Sequence, residues 1–275
     1  MHRLFQLQAS AKLLAFSRIA IGVCALAVGW EIWRFLPRIL NPVIVQLPYF
    51  SWLPRLPSSL VPLFAGCWFI AALVFLLGLY TTWAGGVISL LCFYTLALDE
   101  QTYSNHFYLF FLIVLLLTIA DSGAVLSLDA LRKGRKELVA GWPVLLLKLQ
   151  VSLVYAFSAI AKLTPQFVSG DTLSQTLKRQ GWLTFPESWR GSRLLVVLAV
   201  SAIALELFIA FALWSRRLRW AAVTGGVALH IFILTALDSS RLSLGIFALE
   251  MFAIYPLFFQ DLHPFKERSP TSETP

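Results

Sequence analysis

The sequence predicts an all-α, polytopic integral membrane protein, a helical bundle of about eight transmembrane helices. Of its 275 residues, 59% are hydrophobic and only 13% are charged, and the mean hydropathy is +0.77. The apolar residues form long continuous runs, as in membrane helices, whereas the strands of outer-membrane barrels alternate apolar and polar residues. Composition and pattern together exclude both a soluble domain and a barrel.

Eight apolar segments define the expected spans. The first follows a basic start and resembles a signal peptide, but its apolar run continues to Leu36, which favours an uncleaved first span. Residues 1–260 are expected to form a single transmembrane domain, and the polar residues 261–275 a disordered tail. The segments cover roughly 13–36, 60–80, 82–98, 106–121, 142–163, 194–214, 220–237 and 242–259.

The net charge of +8 is assigned to loops and indicates orientation in the membrane. With a cytoplasmic N-terminus, eleven Lys and Arg residues fall inside and seven outside, and the compact clusters RKGRK and SRRLR both fall inside. Both termini are therefore predicted to be cytoplasmic. Because the positive charge is explained by orientation, the expected partner is membrane lipid and not nucleic acid. The sequence has no Asn-x-Ser/Thr site, which favours a bacterial cytoplasmic (inner) membrane. The three cysteines lie in apolar runs without metal-binding spacing, so no metal is expected.

Under this topology, several ionisable residues converge at the outer face of the membrane. The fifth span would end there with Lys162, and the fourth would begin there with His106. The seventh span places His230 in the outer half, while Glu206 and Glu250 are deep carboxyls that each need a proton or a partner. Because ionisable groups are costly in lipid, their convergence indicates a functional site.

Lys162 and His106 each have a structural and a functional interpretation. Lys162 follows an apolar helix that Pro165 stops, so it would either snorkel to the interface or act as a neutral amine base held away from water. His106 lies in the cluster SNHFYLF, which would either cap a helix at an interfacial aromatic belt or relay a proton.

For the other ionisable residues within the spans, the sequence favours a structural interpretation. His230 stands alone on an apolar helix, where histidines are commonly hydrogen-bonded between helices. Glu31 and Arg34 are three residues apart and are expected to pair with each other. Lys148 lies about a turn from the inner surface and is expected to snorkel towards it.

Four stretches follow one another along the chain: LLAFSRIAIG, LDEQTYSNHFYLF, WPVLLLKLQVSLVYAFSAIAKL and LHIFILTALDSSRLSLGIF. In this order they resemble the HTTM family, the membrane domain shared with vitamin K-dependent γ-glutamyl carboxylase. The resemblance covers residues 10–260.

The resemblance implies a reaction in the outer half of the membrane. In the carboxylase, the lysine of the motif matching AIAKL activates vitamin K hydroquinone, and O2 converts the quinol into a strong base that deprotonates a glutamate. CO2 then traps the carbanion. Carried over, Lys162 is the base, His106 assists, and a reduced quinone (vitamin K hydroquinone or menaquinol) is the cofactor. The expected quinone pocket includes His230, Asn105, Tyr155, Tyr108 and Glu206.

The sequence departs from the carboxylase in three places. The carboxylase has two adjacent lysines where this chain has Ala161-Lys162, and an acidic turn where it has Thr164-Pro165-Gln166. The short stretch after the eighth span does not match the soluble domain that presents glutamates.

The leading hypothesis is a carboxylase-like enzyme that acts on a secreted or membrane-associated peptide with a separate soluble recognition subunit. The alternative is a non-catalytic, multipass accessory subunit for maturation or export of a secreted peptide or toxin. A transporter is disfavoured by the few mid-depth charges and the absence of an inverted repeat.

Overall fold

The computed structural model describes residues 5–178, 186–189, 191–236 and 241–264. It has the all-α architecture that the hydropathy pattern predicts. The helices are α1 (Ala11–Ile39), α2 (Val61–Leu77), α3 (Thr81–Leu98), α4 (Asn105–Ile119), α5 (Leu128–Lys133), α6 (Trp142–Ala161), α7 (Pro165–Val168), α8 (Asp171–Lys178), α9 (Arg193–Ala212), α10 (Arg219–Ala236) and α11 (Arg241–Ile254), and 3₁₀ turns lie at Ser58–Leu60, Glu100–Thr102, Glu187–Trp189 and Tyr255–Phe259.

Seven helices among the described residues are long and apolar enough to cross a membrane. They are α1, α2 with the preceding 3₁₀ turn, α3, α6, α9, α10, and α11 with the following 3₁₀ turn. The fourth predicted span is a shorter apolar helix, α4, of 15 residues. At a rise of about 1.5 Å per residue, α4 is about 22 Å long, less than the hydrocarbon core of a typical bilayer. The all-α membrane bundle is confirmed.

Helix α1 lies at the centre of the bundle, in contact with α2, α4 and α11. Helix α6 packs against α9 and α4, and α10 lies between α9 and α11. The buried aromatic side chains of Trp68, Phe75 and Phe110 fill the core between the first helices, and the Trp68 indole donates to the carbonyl of Ala25 at 2.7 Å. This arrangement leaves α1, α4, α6 and α11 around a common space.

A small antiparallel sheet closes the end of the bundle where α1 begins. Its strands are β1 (Leu7–Ser10), β2 (Leu138–Ala140) and β3 (His263–Pro264), in the order β2-β1-β3. We call this end of the bundle the sheet end and the opposite end the cavity end. Because β3 pairs with β1, the predicted disordered tail 261–275 is corrected at its start: residues 261–264 are part of the fold. Residues 265–275 lie outside the described residues.

Two basic residues in the spans have structural partners. Arg18 is fully buried, and its guanidinium donates to the carbonyls of Phe75, Leu76, Ser122 and Leu126 at 2.6–3.2 Å. Two of these carbonyls, those of Phe75 and Leu76, lie in the last turn of α2, where carbonyl groups lack amide donors from a following turn of helix.

Lys148 does not snorkel, contrary to the sequence-based expectation. It is only 6% exposed, and its Nζ donates to the main-chain carbonyl of Gln260 at 2.9 Å. The acceptor comes from the segment after α11, so the lysine ties α6 to the sheet end of the bundle.

Candidate functional site

A cavity of about 1110 Å³ opens between α1, α4, α6 and α11 at the cavity end. It is large enough for a drug-sized organic ligand. Its walls include the rings of Phe35, Phe107, Phe157 and Phe247. The polar side chains in its lining are Glu31, Gln101, Thr102, Tyr103, Ser104, Asn105, His106, Tyr108, Gln150, Ser158, Lys162 and Ser243. Two proposed catalytic residues, Lys162 and His106, and two proposed pocket residues, Asn105 and Tyr108, therefore line one cavity.

The amine of Lys162 forms an ion pair with the carboxylate of Glu206. Its Nζ lies 2.9 and 2.8 Å from the two carboxylate oxygens of Glu206 and donates to the Ser158 hydroxyl at 2.6 Å. Ser158, one turn earlier on α6, in turn donates to Glu206 at 3.1 Å. The Lys162 side chain is 27% exposed and that of Glu206 is 6% exposed. Lys162 is thus turned back into the bundle, and Glu206, a predicted deep carboxyl, has its partner.

His106 is bound by a second carboxylate, from α1. Its Nε2 lies 2.9 Å from Oε2 of Glu31, and Oε1 of Glu31 accepts a hydrogen bond from the hydroxyl of Ser243 on α11. Glu31 therefore pairs with His106 and not with Arg34. Ser104 occupies the N-cap position of α4, but its side chain makes no capping hydrogen bond. The cluster SNHFYLF thus contributes a cavity histidine and not a side-chain cap.

A second compartment of about 130 Å³ adjoins the large cavity and shares Ser158 and Lys162 with it. Its lining also includes Glu206, Tyr155 and His230, three residues proposed for the pocket. All seven sequence-proposed site residues therefore lie in two adjoining cavities.

His230 is 3% exposed and hydrogen-bonded between helices. Its Nε2 lies 3.0 Å from the Tyr155 hydroxyl, which also contacts the hydroxyl of Tyr255. The ring packs edge-on against Phe252, with 5.6 Å between ring centroids. These contacts fit the structural interpretation of His230, at the border of the cavity system.

Glu250 lies apart from both cavities. It is fully buried on α11, and neither of its carboxyl oxygens has a hydrogen-bond partner among the described residues. Of the two deep carboxyls singled out in the sequence, Glu206 belongs to the site and Glu250 does not.

Asp99 organises the rim of the large cavity. It follows α3 and accepts hydrogen bonds from the Leu47 amide at 3.0 Å and from Arg55 at 2.6 Å, while Gln101 donates to its other oxygen. Burial alone would raise the pKa of Asp99, but these hydrogen bonds outweigh burial and lower it below its usual value. Gln101, a lining residue, also donates to the carbonyl of Val45 at 2.7 Å, so the loop before α2 is attached to the rim.

Three polar residues of the site were not predicted to belong to it from the sequence: Glu31, Ser158 and Ser243. Glu31 carried a usable signal, because a carboxylate within an apolar span needs a partner. The sequence offered Arg34 as the nearest candidate, whereas the actual partners are 75 and 212 residues away. The two serines carried no signal, since serine is common at helix contacts in membranes.

Comparison with known proteins gives one family. The family model described as the HTTM domain matches residues 7–261, nearly the whole chain. No solved structure matches the chain.

Proposed function

Because the chain belongs to the HTTM family, whose domain is associated with vitamin K-dependent carboxylase-like membrane proteins, we propose that it is a quinol-dependent membrane enzyme. It uses a reduced quinone of the vitamin K or menaquinone type and O2 to generate a strong base, with Lys162 as the first proton acceptor. The observation that carries this proposal is that Lys162 and His106, from different helices, line one cavity of about 1110 Å³.

The cavity suits an uncharged ring compound with hydroxyl groups. Its aromatic walls offer stacking surfaces for a bicyclic ring. Lys162 is paired with Glu206 and His106 with Glu31, so neither basic group needs a charged ligand to balance it. A neutral amphiphile fits such a lining better than an anion does. When bound, a reduced quinone would supply an ionisable hydroxyl and an oxygen-reactive ring.

Lys162 can act as a base only as a neutral amine, and Glu206 provides a place for its proton. A ligand that fills the cavity displaces water from the partly exposed Lys162 side chain. Separated charges are costly without water, so displacement favours transfer of the proton from Nζ of Lys162 to the Glu206 carboxylate. The neutral amine then accepts a proton at Nζ from the ligand hydroxyl, and Ser158 holds both partners in place.

His106 supplies a second proton-exchanging group on another wall of the same cavity. Its position at the start of α4 fits the assisting role that the resemblance implies. The charge distribution supports an outward-facing cavity end in a bacterial cytoplasmic membrane. The substrate would then be a glutamate of a secreted or membrane-associated peptide, carboxylated with CO2, and a separate soluble subunit would present it.

The test is quinol turnover by the full chain in lipid nanodiscs. Wild type, Lys162→Met and Lys148→Met are compared for binding of reduced menaquinone and vitamin K, for O2 consumption and for quinone epoxide. Lys148 is the matched control, a buried lysine on the same helix at the sheet end. We expect Lys162→Met to lower turnover by about 10²-fold or more, the usual contribution of a positioned base, with Lys148→Met close to wild type. Well-folded wild type that neither binds nor oxidises quinol contradicts the proposal.

A second candidate function is the non-catalytic accessory subunit. The observation that favours it is the Lys162–Glu206 ion pair itself, which accounts for a lysine in this position without any chemistry. Under this alternative, the protein assists the maturation or export of a secreted peptide, and the pair serves only to hold α6 against α9.

A further inference from the structure

Glu31 is an acidic residue on an apolar helix whose two carboxylate oxygens are both engaged. Oε1 accepts a hydrogen bond from the Ser243 hydroxyl, and Oε2 lies 2.9 Å from Nε2 of His106. The three residues come from α1, α11 and α4, so the contact joins three separate helices at the cavity wall. The side chains of His106 and Glu31 are 12% and 23% exposed, which leaves the pair only partly screened by solvent.

A carboxylate in this position determines which nitrogen of His106 carries the proton. An ionised carboxylate only accepts hydrogen bonds, so the contact with Oε2 requires a hydrogen on Nε2. A neutral imidazole has one N–H, and its other nitrogen is then a bare acceptor. Within the described part of the chain, Nδ1 of His106 has no hydrogen-bond partner, and the residue lines the cavity. Nδ1 is therefore the nitrogen available to a ligand.

We propose that Glu31, anchored by Ser243, is a positioning residue that holds His106 in the Nε2–H tautomer and leaves Nδ1 to accept a proton from the cavity ligand. The role of His106 in this statement rests on the proposed function. When an O–H bond of the ligand or of a bound water breaks, its proton forms the Nδ1–H bond. The imidazolium that results carries one positive charge, which the Glu31 carboxylate stabilises across the Nε2–H bond.

Both basic side chains of the cavity are paired in the same way: each contacts a carboxylate, and that carboxylate accepts a hydrogen bond from a serine hydroxyl. Lys162 has Glu206 and Ser158, and His106 has Glu31 and Ser243. The two pairs differ in one respect that matters for chemistry. The amine of Lys162 must transfer its proton to Glu206 before it can act, whereas His106 presents a free acceptor nitrogen without any prior transfer.

The tautomer can be read directly by ¹⁵N NMR of the full chain in nanodiscs with labelled histidine. The sequence has four histidines, and the His106→Gln variant identifies the signals of His106. We expect wild type to show a bare Nδ1 and a protonated Nε2 at a pH where the ring is neutral. A wild-type ring with a bare Nε2 overturns the proposal without any variant being needed.

Two substitutions then separate positioning from structure. In Glu31→Gln the amide can donate to Nε2, so we expect the Nδ1–H tautomer to appear and turnover to fall about tenfold or more, while quinol binding changes little. Ser243→Ala keeps the carboxylate, so the wild-type tautomer persists and turnover falls less. Glu250→Gln on α11 is the control for a carboxyl-to-amide change, because neither carboxyl oxygen of Glu250 is hydrogen-bonded within the described residues.

The outcomes for this inference and for the proposed function are distinct. An unchanged His106 tautomer in folded Glu31→Gln overturns the role of Glu31, whatever the Lys162 variants do. A shifted tautomer in a protein that does not oxidise quinol supports the role of Glu31 as the residue that fixes the ring, and counts against the enzyme.

Discussion

The Nζ of Lys162 lies within 2.9 Å of both carboxylate oxygens of Glu206, so the proposed base is ion-paired in the resting protein. Lys162 belongs to the end of α6 and Glu206 to the middle of the antiparallel helix α9. A lysine that snorkelled would turn away from the bundle, whereas this one turns into it. The pair therefore has a structural function, a chemical function, or both, and paired substitutions separate these possibilities.

Breaking the pair from one side should destabilise the fold. Glu206→Leu leaves the Lys162 ammonium beside an apolar side chain, and the loss of one partner of a buried pair costs about 3 kcal/mol or more. The partial exposure of Lys162 reduces this cost. We expect a clearly lower midpoint of thermal unfolding for Glu206→Leu, measured in nanodiscs. The double variant Lys162→Met/Glu206→Leu should recover most of the loss, because a buried ion pair can be replaced by apolar residues of similar volume. Equal destabilisation of Glu206→Leu and the double variant would show that the unpaired Lys162 ammonium is not the cause of the loss.

The same double variant distinguishes the enzyme from the accessory subunit. If the pair only holds α6 against α9, the apolar replacement keeps the helices together and the cellular maturation or export of the peptide continues. If Lys162 is a base, the stable double variant remains inactive, because the amine that accepts the first proton is absent. The measurement is the level of mature secreted peptide in cells that carry each variant, with the amount of membrane-inserted protein as the control.

The sequence predicts the span positions and the ionisable residues well, but not the contacts between helices. Lys162, His106 and Glu206 are found because each is costly within an apolar run. Their meeting at one cavity system depends on how α4, α6 and α9 rotate about their axes, which hydropathy alone does not determine. Glu31 was assigned to Arg34 because a single chain reveals only pairs that are close in sequence. Its real partner, His106, comes from another helix.

The contacts at the sheet end of the bundle could not be predicted from the sequence either. Strands β1, β2 and β3 have four, three and two residues, too few for a periodic pattern, and β3 lies at the start of the predicted tail. Lys148 was expected at the interface, but the carbonyl that binds it belongs to Gln260, 112 residues later in the chain. Long-range hydrogen bonds to main-chain atoms leave no trace in the composition of a segment.

Arg18 should be required for folding rather than for chemistry. It is fully buried and donates four hydrogen bonds to main-chain carbonyls near the end of α2 and after α4. Arg18→Leu removes these four hydrogen bonds. The Phe75 carbonyl keeps the Gly78 amide as a donor, and each buried carbonyl that is left without a donor costs about 1–3 kcal/mol. We expect little folded protein by size-exclusion chromatography. Arg18→Lys should restore little of the folded protein, because an ammonium group cannot reproduce the planar set of donors of a guanidinium. Arg135→Leu, an exposed arginine on the same side of the bundle, is the control and should fold normally.

Asp99 should make the rim of the cavity sensitive to acid. The pKa of Asp99 is lowered in the folded protein, so its ionised form stabilises the fold at pH 7. This stabilisation is lost as the pH falls below the ordinary pKa of an aspartate and through the lower folded pKa. In Asp99→Asn the contribution is already absent at pH 7. We therefore expect this variant to unfold at a lower temperature than wild type at pH 7, with the difference shrinking in acid as wild type loses its carboxylate. Asp121→Asn, at a carboxylate whose side chain is 50% exposed, is the control and should change little. If the difference between Asp99→Asn and wild type stayed constant from pH 7 to pH 3, the hydrogen-bonded carboxylate would not be what holds the loop before α2 to the rim.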